Sequence, residues 1–185
     1  MLKTHISVDE FMEIALAPEN EDRRLERIDG EIIEVVSNNK ASEIASTIAG
    51  EMYVFAKPRK LGRVTSSDGG YTINGEQYIP DCAFVSYQRQ PHSTTESYPA
   101  VAPEIVVEVI SPANIRTTND HARLTRKVAN YLAAGCEVWL IYPEEEELER
   151  YIAGEPVRTY RTGEILEGRG ILEGFHLEIS AIWPR

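Results

Sequence analysis

Cysteine, histidine and long apolar runs are all scarce in this chain, and each scarcity closes off a class of protein. Cys82 and Cys136 are the only two cysteines, each inside an apolar stretch (IPDCAFV and AAGCEVWLIYP). There a reduced thiol serves as a small hydrophobe, and two such residues make no disulfide framework. Zinc prefers four ligands at short paired spacings, which the scattered His5, His92, His121 and His176 do not supply. No stretch of about 18 apolar residues is present to cross a bilayer. The N-terminal MLKTHISVDEFMEIALAPENEDRR has neither an apolar core nor a small-residue cleavage site, so no secretory signal is expected and a cytoplasmic protein is.

Bases are also in the minority, with 19 Lys and Arg against 30 Asp and Glu and a net charge of −11. That argues against a surface coated for nucleic acid, because phosphate contacts need Lys and Arg. The excess is uneven. Residues 143 to 178 carry ten acids against four bases, whereas residues 114 to 128 carry Arg116, Arg123, Arg126 and Lys127 against Asp120 alone. Lys57, Arg59, Lys60 and Arg63 form a second basic cluster. Local basic faces stay open, but taken alone both clusters read first as solvated helix and loop surface.

What is present is an ordinary globular composition, 42% hydrophobic and 26% charged over 185 residues. A chain of that length suits one domain, residues 1–185. Ser7-Val8-Asp9-Glu10 has the form of a capping box opening a short helix that stops near Pro18. LERIDGEIIEVV, residues 25 to 36, places an Asp29-Gly30 turn between two alternating runs, a hairpin pattern. Residues 42 to 55 carry apolar residues at helical spacing, ended by Pro58. Gly62 to Ile73 reads as strand, turn, strand, and Tyr78 to Tyr87 as one further strand. A helix is expected over Asp120 to Ala134, closed by Gly135. It lies between the apolar runs EIVVEVISP and VWLIY, which suggests a parallel crossover. Short strands are expected over Arg158 to Arg161 and Ile171 to Ile179. The sum is an α/β domain with a mixed sheet.

Two acids stand where burial would penalise them. Glu108 interrupts EIVVEVISP, the most apolar strand, and Asp81 follows Pro80 at the head of another. If those strands are neighbours, the carboxylates converge. Two isolated buried carboxylates would repel, whereas a hard divalent cation with oxygen ligands relieves both. Mg²⁺, with Mn²⁺ as a substitute, is the simplest account. Lys127 lies beside Tyr131 at the edge of its helix's apolar face, from which it can reach along the sheet toward the carboxylates, although a lysine there can equally cover core with its stem and keep its head wet.

The blocks LERIDGEIIEV, GRVTSSDGGYTI, YIPDCAFV, PEIVVEVISP, RKVANYLAAGCEVWLIYP and ILEGFHLEISAIW follow one another over about Val8 to Trp183. In order and spacing they resemble the Uma-two family of bacterial restriction-endonuclease-like proteins, assigned to the PD-(D/E)XK nuclease superfamily. The resemblance implies a restriction-endonuclease-like mixed β-sheet flanked by helices, with an αβββαβ core. It also implies Mg²⁺-dependent phosphodiester hydrolysis on DNA. Pro80-Asp81 resembles the motif's PD, and Glu108 its second acid, which would make Asp81 and Glu108 the metal ligands. The motif lysine would stand at position 110, which is Ile110 here. The family pattern K-x-x-x-Y on the following helix is matched instead by Lys127 and Tyr131. Glu31, in the DGE segment, is implied as a further acid. The histidine that relatives carry after GEIIE is absent from NNKASEIAS, and Glu43 or Glu51 on that helix could supply a helical acid.

The expectation is therefore a DNA endonuclease with Asp81, Glu108, Lys127 and Glu31 in catalysis. Arg116, Arg123 and Arg126 would contact phosphates, and a homodimer would suit the twofold symmetry of duplex DNA. Two alternatives stay open. One is a catalytically silent nucleic-acid-binding or assembly module that kept the fold. The other is a hydrolase using paired carboxylates on a sugar, which would work in EDTA without Lys127.

Overall fold

The computed structural model describes residues 5–184. Ser7 caps α1 (Val8–Ala15) with both halves of the capping box made. The hairpin follows as β1 (Leu25–Ile28) and β2 (Glu31–Glu34). Its turn residues Asp29 and Gly30 both have positive φ, as a two-residue hairpin turn with matching twist requires. Next, α2 (Asn39–Ala56) begins three residues before the expected start, because the Asn38 side chain accepts the Ala41 N–H at 2.9 Å.

Gly62 to Ile73 does form two strands, β3 (Gly62–Ser66) and β4 (Tyr71–Ile73), yet they do not pair with each other. The first joins the large sheet; the second pairs with β5 (Glu76–Tyr78). The chain turns away at Gly70, where any Cβ would sit 2.5 Å from the Ser97 carbonyl oxygen. The long strand expected over residues 78–87 is split for a related reason. Pro80 has no N–H to give a ladder, so β5 ends at Tyr78 and β6 (Cys82–Ser86) starts afresh, leaving Asp81 at the break.

The remaining elements are β7 (Ile105–Val109), α3 (Thr118–Ala133), β8 (Glu137–Tyr142), β9 (Glu147–Tyr151), β10 (Arg158–Arg161), β11 (Ile165–Glu167) and β12 (His176–Glu178). Thr117 caps α3 through a capping box with Asp120, and Gly135 closes it at φ 76°. Of the strand expected over 171–179 only β12 forms, since Gly170–Leu172 is a 3-10 turn and Gly174 has φ 84°. The glutamate-rich β9 was not expected. Its Leu148 is buried while Glu147 pairs with Arg161, so neutralised acids occupy a strand.

Six strands form one sheet in the order β10-β9-β8-β7-β6-β3, and β2-β1-β5-β4 form a second. Strand β7 pairs antiparallel with β6 and parallel with β8, the crossover running through α3. All five positions of both β6 and β7 are buried, because apolar clusters cover both faces of the sheet. A central strand covered on both faces reads as a continuous apolar run. Its side chains still alternate. Ile105, Val107 and Val109 pack with Ile44, Ile48 and Met52 of α2, while Val106 and Ile110 pack with Val128 and Tyr131 of α3. Glu108 and Asp81 fall on the α3 face by the same alternation, alongside Ala83 and Val85. The glutamate-rich β9 and the arginine-bearing β10 extend the sheet on the β8 side, away from β6. No helix among the described residues is long and apolar enough to cross a membrane.

Candidate active-site cleft

The β6–β7 ladder pairs Cys82 with Val107 and Ala83 with Val106. Continued by one step, that register sets Asp81 opposite Glu108. The Asp81 Oδ2 accepts the Val109 N–H at 2.7 Å, which ties the loop after Pro80 to the end of β7. Lys127 lies one helix turn before Tyr131 on α3, so both reach the same patch of sheet. Its Nζ is 2.8 Å from Glu108 Oε1, and the Tyr131 hydroxyl donates to that same oxygen at 2.8 Å. Lys127 is only 9% exposed and Glu108 8%. The ammonium and carboxylate that sequence reasoning assigned to one site are thus in direct contact.

Glu26 is the residue that sequence reasoning missed. It is 3% exposed on β1, with Oε1 at 2.9 Å from Lys127 Nζ and accepting the Ile79 N–H at 2.8 Å. Lys127 therefore bridges two carboxylates, and Glu26 also holds the residue before Pro80-Asp81. A signal was available. Glu26 shares a hairpin face with Ile28 and pairs with Ile33, an acid among isoleucines, which is the pattern that singled out Glu108.

These groups floor a cleft of about 280 Å³, whose lining also includes Ile33, Ser111, Asn114, Asp120, Arg123 and Leu124. Three carboxylates there share one ammonium. Burial, reinforced by the charge of Glu108, raises the Asp81 carboxyl to about 6. Burial also raises Glu26, against the opposing pull of Lys127. Burial alone would lower the Lys127 ammonium, but Glu108 and Glu26 outweigh it and hold it above its usual range. A floor with this surplus of negative charge suits a cation. The second oxygens of Asp81 and Glu108 have no hydrogen-bond or ion-pair partner among the described residues. Both oxygens of Glu26 face Lys127. No group of three or more His, Cys, Asp or Glu among the described residues forms a complete cage. The set fits a hard cation such as Mg²⁺, which binds through one or two carboxylates and fills its other positions with water and phosphate oxygens.

The other expected residues lie further out. Glu31 Oε2 accepts from Arg123 at 2.8 Å, so it reaches the cleft through Arg123. Arg123 also pairs with Asp120 at 3.4 Å. Arg126 is held by Glu76 at 2.6 Å and Asp29 at 3.2 Å, outside the cleft lining. Arg116 is exposed beyond the 3-10 turn that precedes α3. Glu43 and Glu51 are exposed on α2, and neither lines the cleft.

A comparison with protein families matches Uma2, described as "Putative restriction endonuclease", over residues 8–180. No curated protein matches the chain. Among solved structures, the fold resembles the crystal structure of a "putative nuclease belonging to DUF820" from Anabaena variabilis ATCC 29413. That structure is 22% identical and superposes with a TM-score of 0.81, covering 96% of this chain and 97% of that one.

Proposed function

The chain belongs to the Uma2 family, and from that membership and the chemistry of the cleft we propose that it is a divalent-cation-dependent DNA endonuclease of the PD-(D/E)XK type. The observation that carries this reading is the contact of Lys127 Nζ with Glu108 at 2.8 Å, on the face where the β6–β7 register brings Asp81.

Asp81 and Glu108 would hold the cation through the oxygens that the protein does not use. When bound, Mg²⁺ or Mn²⁺ supplies Lewis-acid polarisation of the phosphate and a more acidic attacking water. The protein's own groups do the rest. Lys127, held charged by two carboxylates, is not a proton acceptor at neutral pH. It fixes the Glu108 carboxylate and offers positive charge to the phosphate as negative charge develops. Tyr131, one turn further along α3, locks the same Glu108 oxygen, and Glu31 steadies Arg123 at the rim. A homodimer would present two such clefts to the two strands of a duplex, which a mass measurement in solution would test.

The deciding experiment is nicking of supercoiled plasmid with Mg²⁺ or Mn²⁺ by the native chain and by Asp81→Ala, Glu108→Ala and Lys127→Ala. Cleavage by the native chain alone is expected, abolished by EDTA. Cleavage that survives all three substitutions would sink the assignment. Calorimetry in which Asp81→Ala leaves Mg²⁺ binding unchanged, without cleavage of any nucleic acid, would favour the silent module.

A further inference from the structure

A second groove opens on the other side of Asp81. It encloses about 210 Å³, and Arg24, Ser37, Asn39, Ser42, Ser46 and Ser66 line it together with Asp81. Asp81 is the sole carboxylate among the described lining residues, in a chain that has 30 acids. The half-buried Arg24 guanidinium and the hydroxyls of Ser42, Ser46 and Ser66 have no hydrogen-bond or ion-pair partner among the described residues. By contrast, Arg123 and Arg126 are already held by acids.

The groove runs along α2. Asn39, Ser42, Ser46 and Ala49 line it, and the same three- and four-residue spacing continues along that face to Tyr53 and Lys57. Tyr53 is 46% exposed. At this end the chain gathers Lys57, Arg59, Lys60 and Arg63, none of them ion-paired among the described residues. Arg59 lies 4.0 Å above the Phe55 ring centroid and Arg63 4.7 Å above that of Tyr87. Bases at a helix C-terminus complement its exposed carbonyls, but that effect fades within a turn. Arg63 on β3 is held by the Gln90 and Pro91 carbonyls, but nothing of this kind accounts for Arg24 at the far end of the helix.

We infer that this path carries the phosphodiester backbone flanking the bond to be cut. Arg24 contacts a phosphate beside the cleft, and Lys57 and Lys60 contact phosphates at the far end of α2. The inference rests on the nuclease reading and adds where the DNA lies. Helix α2 has 18 residues, so the path is about 27 Å long, or about 8 base pairs of duplex at 3.4 Å each.

The test is fluorescence-anisotropy titration of labelled hairpin duplexes of about 4 and about 24 base pairs with Ca²⁺ present, the shorter one reaching only about half of the path. Arg24→Ala should weaken binding of both by roughly five- to tenfold and reduce the slope of log affinity against log salt by about 0.9. Lys57→Glu with Lys60→Glu should reduce the slope by about 1.8 for the long duplex and leave the short one unchanged. Unaltered melting temperatures check that each variant folds, since Lys57 and Lys60 are exposed. Native protein that binds the long duplex while neither variant weakens it would overturn the path and leave the nuclease reading intact. Native protein that binds no nucleic acid would overturn both. A dimer that the Lys57/Lys60 variant dissociates, with its DNA affinity unchanged, would overturn the path in favour of contact with a second copy's acidic strands.

Discussion

Lys127 on α3 and Glu108 on β7 meet at 2.8 Å in a buried setting, and Glu26 holds the same ammonium from the other side at 2.9 Å. One cation thus offsets two buried acids beside a third, Asp81. Removing it should cost far more than a surface ion pair would.

Lys127→Met is expected to destabilise the fold by about 3–5 kcal/mol, the usual penalty for leaving buried charge without its partner. Urea unfolding in EDTA measures it. Mg²⁺ should recover part of the loss if Asp81 and Glu108 bind the ion. Equal losses with and without Mg²⁺ would count against that pairing.

Glu26 separates charge from hydrogen bonding. Glu26→Gln keeps an acceptor for the Ile79 N–H, whereas Glu26→Ala leaves that buried donor unmet at an added cost of about 1–3 kcal/mol. Thermal melts of the two variants should therefore differ, with alanine the less stable. Both should slow plasmid nicking, because Lys127 loses half its support.

Asp81 makes the metal-free protein sensitive to pH. Its carboxyl is raised to about 6 in the fold, so the folded state holds the proton more tightly than the unfolded chain does. The resulting stability is present below the ordinary aspartate range and is lost as pH rises through about 6. The full effect is no more than about 3 kcal/mol. Melting temperature in EDTA should accordingly fall between pH 4 and 7 more steeply for the native chain than for Asp81→Asn. With Mg²⁺ present, binding to the ionised carboxylate should reverse the trend.

Tyr131→Phe removes one hydrogen bond to Glu108 Oε1 and leaves the ring packed at 5.0 Å from Tyr78. A hydrogen bond to a charged group is worth about 1.5–3 kcal/mol. A loss of that order by chemical denaturation, with Mg²⁺ affinity weakened but not abolished, is the expected result.

Local chemistry made several elements readable. The Ser7 capping box, the Asp29-Gly30 turn, the αL Gly135 and the parallel crossover rest on short-range rules, and each formed as expected. Other features failed for identifiable reasons. Asn74-Gly75, with φ of 51° and 78°, is the two-residue turn between β4 and β5, a hairpin signal as local as Asp29-Gly30. Strand β9 was hidden because its glutamates look solvated until Arg161 and the rest of the sheet are in place.

The sequence by itself determined which residues were out of place: a carboxylate inside an apolar strand, another after a proline, and a lysine at the edge of an apolar helix face. Alternation in strands and the 3.6-residue turn of helices put them on particular faces without any long-range information. Only the tertiary structure decided that those faces meet, that Glu26 joins them from a hairpin far away in the chain, and that Glu31 pairs with Arg123. It also decided that Arg126 is tied to Glu76 and Asp29. Ion pairs between distant elements depend on strand order and on competition among many acids for few bases, and neither is written into local spacing.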